Sequence, residues 1–93
     1  MRNIIEEDRK YILNVYKRIG LEIVKGEGCY LYDKNGDKYL DMYSGIAVNS
    51  FGISNPEILS RIYNQASKYI HLSNFFVSES TVNLAKLLVE SSF

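Results

Sequence analysis

The amino-acid sequence predicts an α+β fold: an N-terminal helix, an antiparallel β-hairpin or short sheet, and then two helices. Three observations support this prediction. Apolar residues recur at helical spacing near the start of the chain and twice in its second half. Between these stretches, two aromatic-rich segments flank Asn35-Gly36, a dipeptide typical of tight hairpin turns. Further along, Asn55-Pro56 has the residue types that favour a helix start.

The first helix is predicted over residues 4–16. Its apolar residues lie near one side and its charged residues towards the other, which is the amphipathic pattern of a surface helix. Gly20 is expected to end this region, and a strand is predicted over residues 21–24, before Gly26 and Gly28.

A hairpin is the most specific local prediction, with strands at residues 29–33 and 38–42. Because Asn and Gly both tolerate positive φ, we expect a two-residue type I′ turn at Asn35-Gly36. Asp33 and Asp37 are interpreted as turn-capping carboxylates. Cys29 is the only cysteine, so no internal disulfide can form. We expect it to lie on the strand with its side chain buried by packing.

The second half of the chain begins with an irregular segment. Residues 44–54 are mostly small and include two glycines, which suits a backbone that approaches another group closely. Asn55 is then the expected N-cap of a helix reaching about residue 70. After a loop over residues 71–78, a second helix should end near Ser91. With no repeat or linker, residues 1–93 are interpreted as a single domain.

Composition limits the partners. The 93 residues are 46% hydrophobic and 24% charged, with 11 basic and 11 acidic residues and no basic cluster, so neither nucleic acid nor a membrane is an expected partner. The charged start lacks an apolar signal segment, which predicts a cytoplasmic location. Eight Tyr and four Phe either fill a small core or belong to a larger interface.

Several kinds of chemistry lack their motifs. The Gly26-Glu27-Gly28 run is followed by a predicted strand where a dinucleotide-binding loop needs a helix. One His and one Cys cannot supply a metal cluster, and no hydrolase motif surrounds His71. Asp41 is interpreted as structural.

Two segments are candidate binding sites. Residues 44–49 are apolar between polar ends, and they are either a ligand wall or a buried crossover. Residues 71–76 mix hydrogen-bonding groups with aromatics, a composition that suits a ligand rim, a subunit contact or an ordinary connecting loop.

The chain resembles the N-terminal region of class III pyridoxal-phosphate aminotransferases, and the acetylornithine aminotransferases most closely, over residues 11–93. The residues in register with that family are Tyr16, Arg18, Gly26-Glu27-Gly28, Tyr32-Asp33, Gly36, Tyr39-Leu40-Asp41, residues 44–49, Gly52, Pro56, Gln65-Ala66, His71, Ser73-Asn74, Glu79 and Leu84-Ala85. The family usually has Gly-His-x-His-Pro where this chain has residues 52–56, and often tyrosine at Val77.

The resemblance implies a partial small domain of a fold-type I enzyme, without its large cofactor-binding domain. It implies transfer of an amino group from acetylornithine to 2-oxoglutarate, in arginine or lysine biosynthesis, with ornithine or 4-aminobutyrate as alternative donors. It also implies which residues lie against substrate: Gly45, Ile46, Ala47 and Val48 as a wall, with Asn74 and Phe76 as second choices. Ornithine-using relatives have tyrosine at the position of Gly45, so glycine there favours an N-acylated donor.

The same resemblance places the cofactor lysine and the phosphate-binding segments beyond residue 93. We therefore expect pyridoxal 5'-phosphate in the complete enzyme, and no cofactor, no metal and no catalytic residue in this chain alone. Its expected partners are a second copy of the enzyme in a dimer, or the complementing remainder of the aminotransferase, together with a small amino donor. The alternative is a truncated, non-catalytic remnant that binds another protein.

Overall fold

The computed structural model describes residues 2–92 of the chain, and the α+β class predicted from the sequence is confirmed, with one short helical element, α2 (Ser44–Ala47), that was not predicted. The chain forms two compact units, one ending at Leu59 and the other beginning at Ser60. The elements, in chain order, are α1 (Ile4–Tyr11), β1 (Ile23–Glu27), β2 (Tyr30–Asp33), β3 (Lys38–Leu40), α2 (Ser44–Ala47), α3 (Pro56–Lys68) and α4 (Glu79–Ser91).

Helix α1 is shorter than predicted. The side chain of Asn3 accepts a hydrogen bond from the backbone N–H of Glu6 at 3.2 Å and caps the start of the helix. The helix ends at Tyr11, since Ile12 has extended backbone angles (φ −98°, ψ 135°). The prediction to residue 16 was wrong: Ile12 and Val15 are both exposed, so the apolar face that would stabilise a longer helix has no core contact beyond Tyr11.

Strands β1, β2 and β3 form one antiparallel sheet in that order. The first strand lies two to three residues later than predicted, at Ile23–Glu27. Glu27 pairs with Tyr30, so Gly28 and Cys29 form a two-residue turn, with Gly28 at φ 59°. Cys29 is exposed in this turn, which corrects the expectation that it packs within a strand.

The second hairpin is confirmed, but its turn type is not the predicted one. Gly36 has φ 89°, whereas Asn35 is not among the positive-φ residues of the described chain, so a type I′ turn is excluded. The N–H of Gly36 donates to the carbonyl of Asp33, and the N–H of Asp33 donates to the carbonyl of Asp37, both at 3.1 Å. This pattern is a three-residue loop with Gly36 at the bulge position.

Two helices dominate the second half of the chain. The side chain of Asn55 accepts hydrogen bonds from the N–H groups of Glu57 (3.0 Å) and Ile58 (3.2 Å), so it is the N-cap that the sequence predicts for α3. From Ser60 onward, α3 belongs to the second unit, together with α4. In that unit the hydroxyl of Tyr69 lies 3.0 Å from that of Ser78, and the connecting loop lies between these two residues.

The described residues contain no buried hydrophobic side chain, and the one buried polar residue among them is Asp33, 7% exposed. The accessible surface is 8962 Å². Two separate compact globules of the units' sizes would together expose only about 6,600 Å². No aromatic side chain in residues 2–92 is buried, so the aromatic residues do not form an internal core. Among the same residues, no helix has the length and apolar character that crossing a bilayer requires.

Candidate functional site

Residues 44–49, which we call the elbow, begin with α2, and this element is a turn of left-handed helix over residues 44–47. Four consecutive residues have positive φ: Ser44 (51°), Gly45 (59°), Ile46 (58°) and Ala47 (67°). Three of them are not glycine, and a left-handed conformation costs each about 1–2 kcal/mol, or about 3–6 kcal/mol in total. Ile46 is the most unusual, because β-branched residues rarely adopt positive φ. Backbone strain of this kind is concentrated at functional sites in proteins.

Two side chains at the entry of the elbow hold this conformation. The Oδ1 atom of Asp41 accepts hydrogen bonds from the N–H groups of Tyr43 (2.9 Å) and Ser44 (3.2 Å). The hydroxyl oxygen of Ser44 accepts the N–H of Ala47 at 3.1 Å, and its carbonyl accepts the N–H of Asn49 at 2.9 Å. The interpretation of Asp41 as a structural residue therefore agrees with its hydrogen bonds.

The exit of the elbow is attached to strand β1 and its turn. The N–H of Ile53 donates to the carbonyl of Gly28 at 2.9 Å, and the hydroxyl of Ser54 donates to the carbonyl of Gly26 at 2.6 Å. A β-carbon on Gly26 would lie 2.2 Å from Cγ2 of Ile53, so only glycine fits there. In the Gly26-Glu27-Gly28 run, Gly26 allows the close approach of Ile53, and Gly28 adopts the positive φ of the turn between β1 and β2.

The four residues predicted at the substrate wall lie together on the exposed surface of the elbow. The side chains of Ile46 and Val48 are 75% and 82% exposed, and Gly45 and Ala47 are also exposed. The elbow is therefore not a buried crossover within this chain. A β-carbon on Gly45 would come no closer than 3.4 Å to any atom, so a larger side chain there meets backbone strain and no clash at its first atom.

The other two predicted residues, Asn74 and Phe76, lie in the loop before α4. They share the lining of a cavity of about 650 Å³ within the second unit, with Gln65, Tyr69, His71 and Ser78. The N–H of Phe76 donates to the carbonyl of Ser73 at 3.0 Å, and this turn leaves the Phe76 ring 67% exposed. The loop thus presents polar and aromatic groups on one concave surface.

The strongest electrostatic perturbation lies in the second hairpin. Asp33 accepts hydrogen bonds from the N–H groups of Asn35 (2.9 Å) and Asp37 (3.0 Å) and from the Tyr39 hydroxyl (2.9 Å). Removal from water acts to raise the pKa of Asp33, but the hydrogen bonds outweigh it and hold this pKa below 3.8. The hydrogen bond to Asp33 raises the pKa of Tyr39 above 10.0. Asp33 is a turn-capping carboxylate, as predicted, while Asp37 takes part through its backbone.

The lysines and the potential metal-binding side chains of residues 2–92 are the groups relevant to cofactor attachment and metal binding. Every lysine side chain within residues 2–92 is exposed, whereas a Schiff-base lysine works in an enclosed pocket that lowers its pKa. No group of three or more His, Cys, Asp or Glu side chains in the described chain is placed to hold a metal ion.

The left-handed backbone of the elbow was not predicted from the sequence, which indicated only an irregular segment. The sequence signal for it is Asp41 three residues before Ser44, because Asp and Ser side chains accept hydrogen bonds from backbone N–H groups two or three residues later. The departures from the family pattern also have local roles: Ile53 packs on Gly26, and Asn55 caps α3.

Comparison with known proteins gives a consistent family. A family model described as "Aminotransferase class-III" matches residues 11–93. The chain is 42% identical to an acetylornithine aminotransferase of Clostridium acetobutylicum over 84 residues, covering 90% of this chain and 22% of that protein. It is 44% identical to an acetylornithine aminotransferase of Archaeoglobus fulgidus over 86 residues, covering 92% and 23%. The chain thus spans less than a quarter of the length of these relatives.

Solved structures agree with the sequence relatives. A crystal structure of an acetylornithine aminotransferase from Elizabethkingia anophelis superposes with a TM-score of 0.89 at 26% identity, covering 94% of this chain and 23% of that one. An adenosylmethionine-8-amino-7-oxononanoate aminotransferase from Methanocaldococcus jannaschii gives 0.84 at 37% identity, covering 96% and 22%. The predicted aminotransferase fold is therefore confirmed.

Proposed function

The chain belongs to the class III aminotransferase family, and from that membership we propose that it is the N-terminal segment of an enzyme that transfers an amino group from acetylornithine to 2-oxoglutarate. In this proposal the segment supplies a wall on the substrate side and a loop at a subunit boundary, and it is not catalytic alone. The relatives named acetylornithine aminotransferases support this donor. Ornithine and 4-aminobutyrate are the alternative donors.

The observation that carries the proposal is the strained, exposed elbow. The left-handed turn that contains Ile46 has a cost in conformational free energy, and its apolar side chains are exposed to solvent. Hydrophobic groups around a few polar groups are typical of small-molecule sites. We propose that Ile46, Ala47 and Val48 contact the donor's carbon chain. The missing side chain of Gly45 leaves room for the acyl group, since a β-carbon there has no atom closer than 3.4 Å.

Family membership implies pyridoxal phosphate in the complete enzyme. In the segment alone, every lysine side chain of residues 2–92 is exposed, whereas a Schiff-base lysine works in an enclosed pocket. We propose that the attachment lysine belongs to the part of the enzyme beyond residue 93. No residue of this segment is therefore assigned to the cofactor.

The exposed apolar surface supports a role inside a larger assembly. The accessible area of 8962 Å² exceeds that of two compact globules by about 2,400 Å², and obligate interfaces bury about 1,000 Å² or more on each partner. We propose that the remainder of the aminotransferase and a second subunit cover this surface, with Asn74 and Phe76 near the boundary between subunits.

The same surface also favours the second candidate, a non-catalytic module that binds another protein. A neighbouring reading frame that encodes the cofactor-binding segments supports the enzyme, and an unrelated frame supports the module.

The test uses the complete aminotransferase that carries this segment, with Gly45→Tyr and Gly45→Ala compared on acetylornithine and ornithine. Both variants meet the same backbone strain at φ 59°, so Gly45→Ala is the matched control and should lower kcat/KM equally for the two donors. Gly45→Tyr should lower kcat/KM about 10-fold further for acetylornithine than for ornithine, because one overpacked group costs a pocket about 1–3 kcal/mol. Equal losses on both donors would show that the elbow is only scaffold.

A further inference from the structure

The entry of the elbow contains two polar side chains that no catalytic or binding role yet uses. Asp41 and Ser44 are both half-buried, whereas Gly45, Ile46, Ala47 and Val48, which follow them, are exposed. The backbone N–H of Asp41 donates to the carbonyl of Cys29 at 2.8 Å, so Asp41 is fixed to the turn between β1 and β2. Its carboxylate therefore has a defined position relative to the sheet.

From that position, the carboxylate acts on the first residues of the elbow. Oδ1 of Asp41 accepts two backbone N–H groups, those of Tyr43 and Ser44, which orients the peptide plane that begins the left-handed turn. Ser44 continues the arrangement, because its hydroxyl oxygen accepts the N–H of Ala47 three residues later.

These contacts determine where Ile46 lies. Ile46 is inside the turn bounded by the Ser44–Ala47 hydrogen bond, and its φ of 58° is one that isoleucine adopts only when its surroundings impose it. Backbone bonds also hold the turn, among them the Ile46 N–H to the Tyr43 carbonyl at 3.0 Å. Because left-handed φ is intrinsically unfavourable, we expect removal of either side-chain acceptor to shift the turn towards ordinary negative φ. That relaxation moves the side chains of Ile46 and Ala47 to new positions.

We propose that Asp41 and Ser44 are positioning residues for the substrate, acting through the left-handed turn that places Ile46. This inference rests on the proposed function of the elbow as a substrate wall. Neither side chain is assigned a contact with the substrate or with reacting atoms. What matters in Asp41 is the hydrogen-bond acceptor, since an amide oxygen in the same place can accept the same two N–H groups.

The experiment uses the complete aminotransferase with isoleucine δ1 methyl groups labelled for NMR, and the Ile46 resonance is assigned with Ile46→Val. The variants are Asp41→Ala, Asp41→Asn and Ser44→Ala. The control is Asp37→Ala, because Asp37 makes its hydrogen bonds within the described chain through its backbone. Each variant is also assayed on acetylornithine and ornithine, and its thermal unfolding is measured to confirm that it is folded.

Asp41→Ala and Ser44→Ala should shift or broaden the Ile46 resonance and reduce the preference for acetylornithine about 10-fold, since small misplacements of positioning groups have effects of up to about 100-fold. Asp41→Asn should retain the resonance and stay within about 3-fold of wild type, because it keeps the acceptor oxygen. Asp37→Ala should match wild type in both measurements.

Two results would overturn the inference: an unchanged Ile46 resonance in Asp41→Ala and Ser44→Ala, or an Asp41→Asn variant as impaired as Asp41→Ala. A different pattern would refute the proposed function instead. If the Ile46 resonance responds as expected while donor preference does not change, Asp41 positions the elbow but the elbow is not a substrate wall.

Discussion

Gly26 and Ile53 provide the sharpest test of how the elbow is attached to the sheet. A β-carbon on Gly26 would lie 2.2 Å from Cγ2 and 2.9 Å from Cβ of Ile53. Carbon atoms in favourable contact are about 3.5–4.0 Å apart. Because the overlapping atoms belong to the base of the Ile53 side chain, rotation about its outer bonds cannot relieve the overlap. The backbone at Ile53 has to move away from β1.

The cost of Gly26→Ala follows from that movement. Overpacking costs about 1–3 kcal/mol, and each hydrogen bond lost contributes about 0.5–1.5 kcal/mol. The bonds at risk join Ile53 to the Gly28 carbonyl and Ser54 to the Gly26 carbonyl. Alanine also restricts the unfolded chain, which offsets about 0.4–1 kcal/mol. We expect a net loss of about 2–4 kcal/mol.

The assay is denaturant unfolding of the complete aminotransferase that carries this segment, followed by circular dichroism and tyrosine fluorescence, for Gly26→Ala, Ile53→Ala and the double variant. Gly20→Ala is the matched control, because a β-carbon on Gly20 would have no atom within 4 Å and the φ of Gly20 is not left-handed. Ile53→Ala removes Cγ2 but keeps Cβ, which would lie 2.9 Å from the new β-carbon. The double variant should therefore lose less stability than the sum of the two single variants, with a coupling of about 1–2 kcal/mol. The close approach of Gly26 and Ile53 would be refuted if Gly26→Ala lowered the free energy of unfolding no more than Gly20→Ala does. It would also be refuted if the losses of Gly26→Ala and Ile53→Ala simply added in the double variant.

Four further predictions concern the hairpin, the exposed surface and the cofactor. Gly36→Val should destabilise by about 1–2 kcal/mol, because valine resists the φ of 89° at that position; Gly36→Asn, which tolerates positive φ better, is the control, and equal thermal stability of the two variants would contradict the bulge geometry. The folded structure lowers the pKa of Asp33. The ionised Asp33 carboxylate therefore stabilises the folded state fully above pH 3.8, and this contribution is lost as the pH falls below that value. Thermal unfolding of wild type should therefore depend on pH in this acidic range more steeply than that of Asp33→Asn, and parallel curves would count against the hydrogen-bond account. The isolated chain should self-associate and bind a hydrophobic dye, because its apolar side chains are exposed; a monomeric mass in light scattering at high micromolar concentration, without dye binding, would contradict this. Finally, residues 1–93 mixed with pyridoxal phosphate and reduced with borohydride should show no stoichiometric label on a single lysine by mass spectrometry, and such a label together with amino-donor turnover would show that the chain is itself a catalyst.

The sequence was sufficient to predict those elements whose structure depends on residues close together in the chain. Asn55-Pro56 predicts the start of α3, because an N-cap and a first-turn proline act within a few residues. The hairpin around Gly36 was predicted for the same reason. The resemblance carried by residues 11–93 also identified the family, which the comparisons confirmed.

Other features depend on contacts that sequence patterns do not record. Helix α1 stops at Tyr11 although its apolar spacing continues, because Ile12 and Val15 find no core to pack against in the described chain. The turn at Asn35-Gly36 takes its bulged form because the Asp33 carboxylate accepts N–H groups on both sides of Gly36. Dipeptide preferences alone favour a different turn.

The elbow shows the same division most clearly. From the sequence, residues 44–49 could be recognised as a candidate site through small and apolar residues between polar ends. Only the tertiary structure decided that Ser44, Ile46 and Ala47 adopt left-handed φ, a conformation that intrinsic preferences oppose. The physical reason is that the segment is held on both sides. Asp41 accepts N–H groups before the elbow, and Ile53 contacts Gly26 after it. These contacts together offset the backbone strain, which the type of any one residue does not predict.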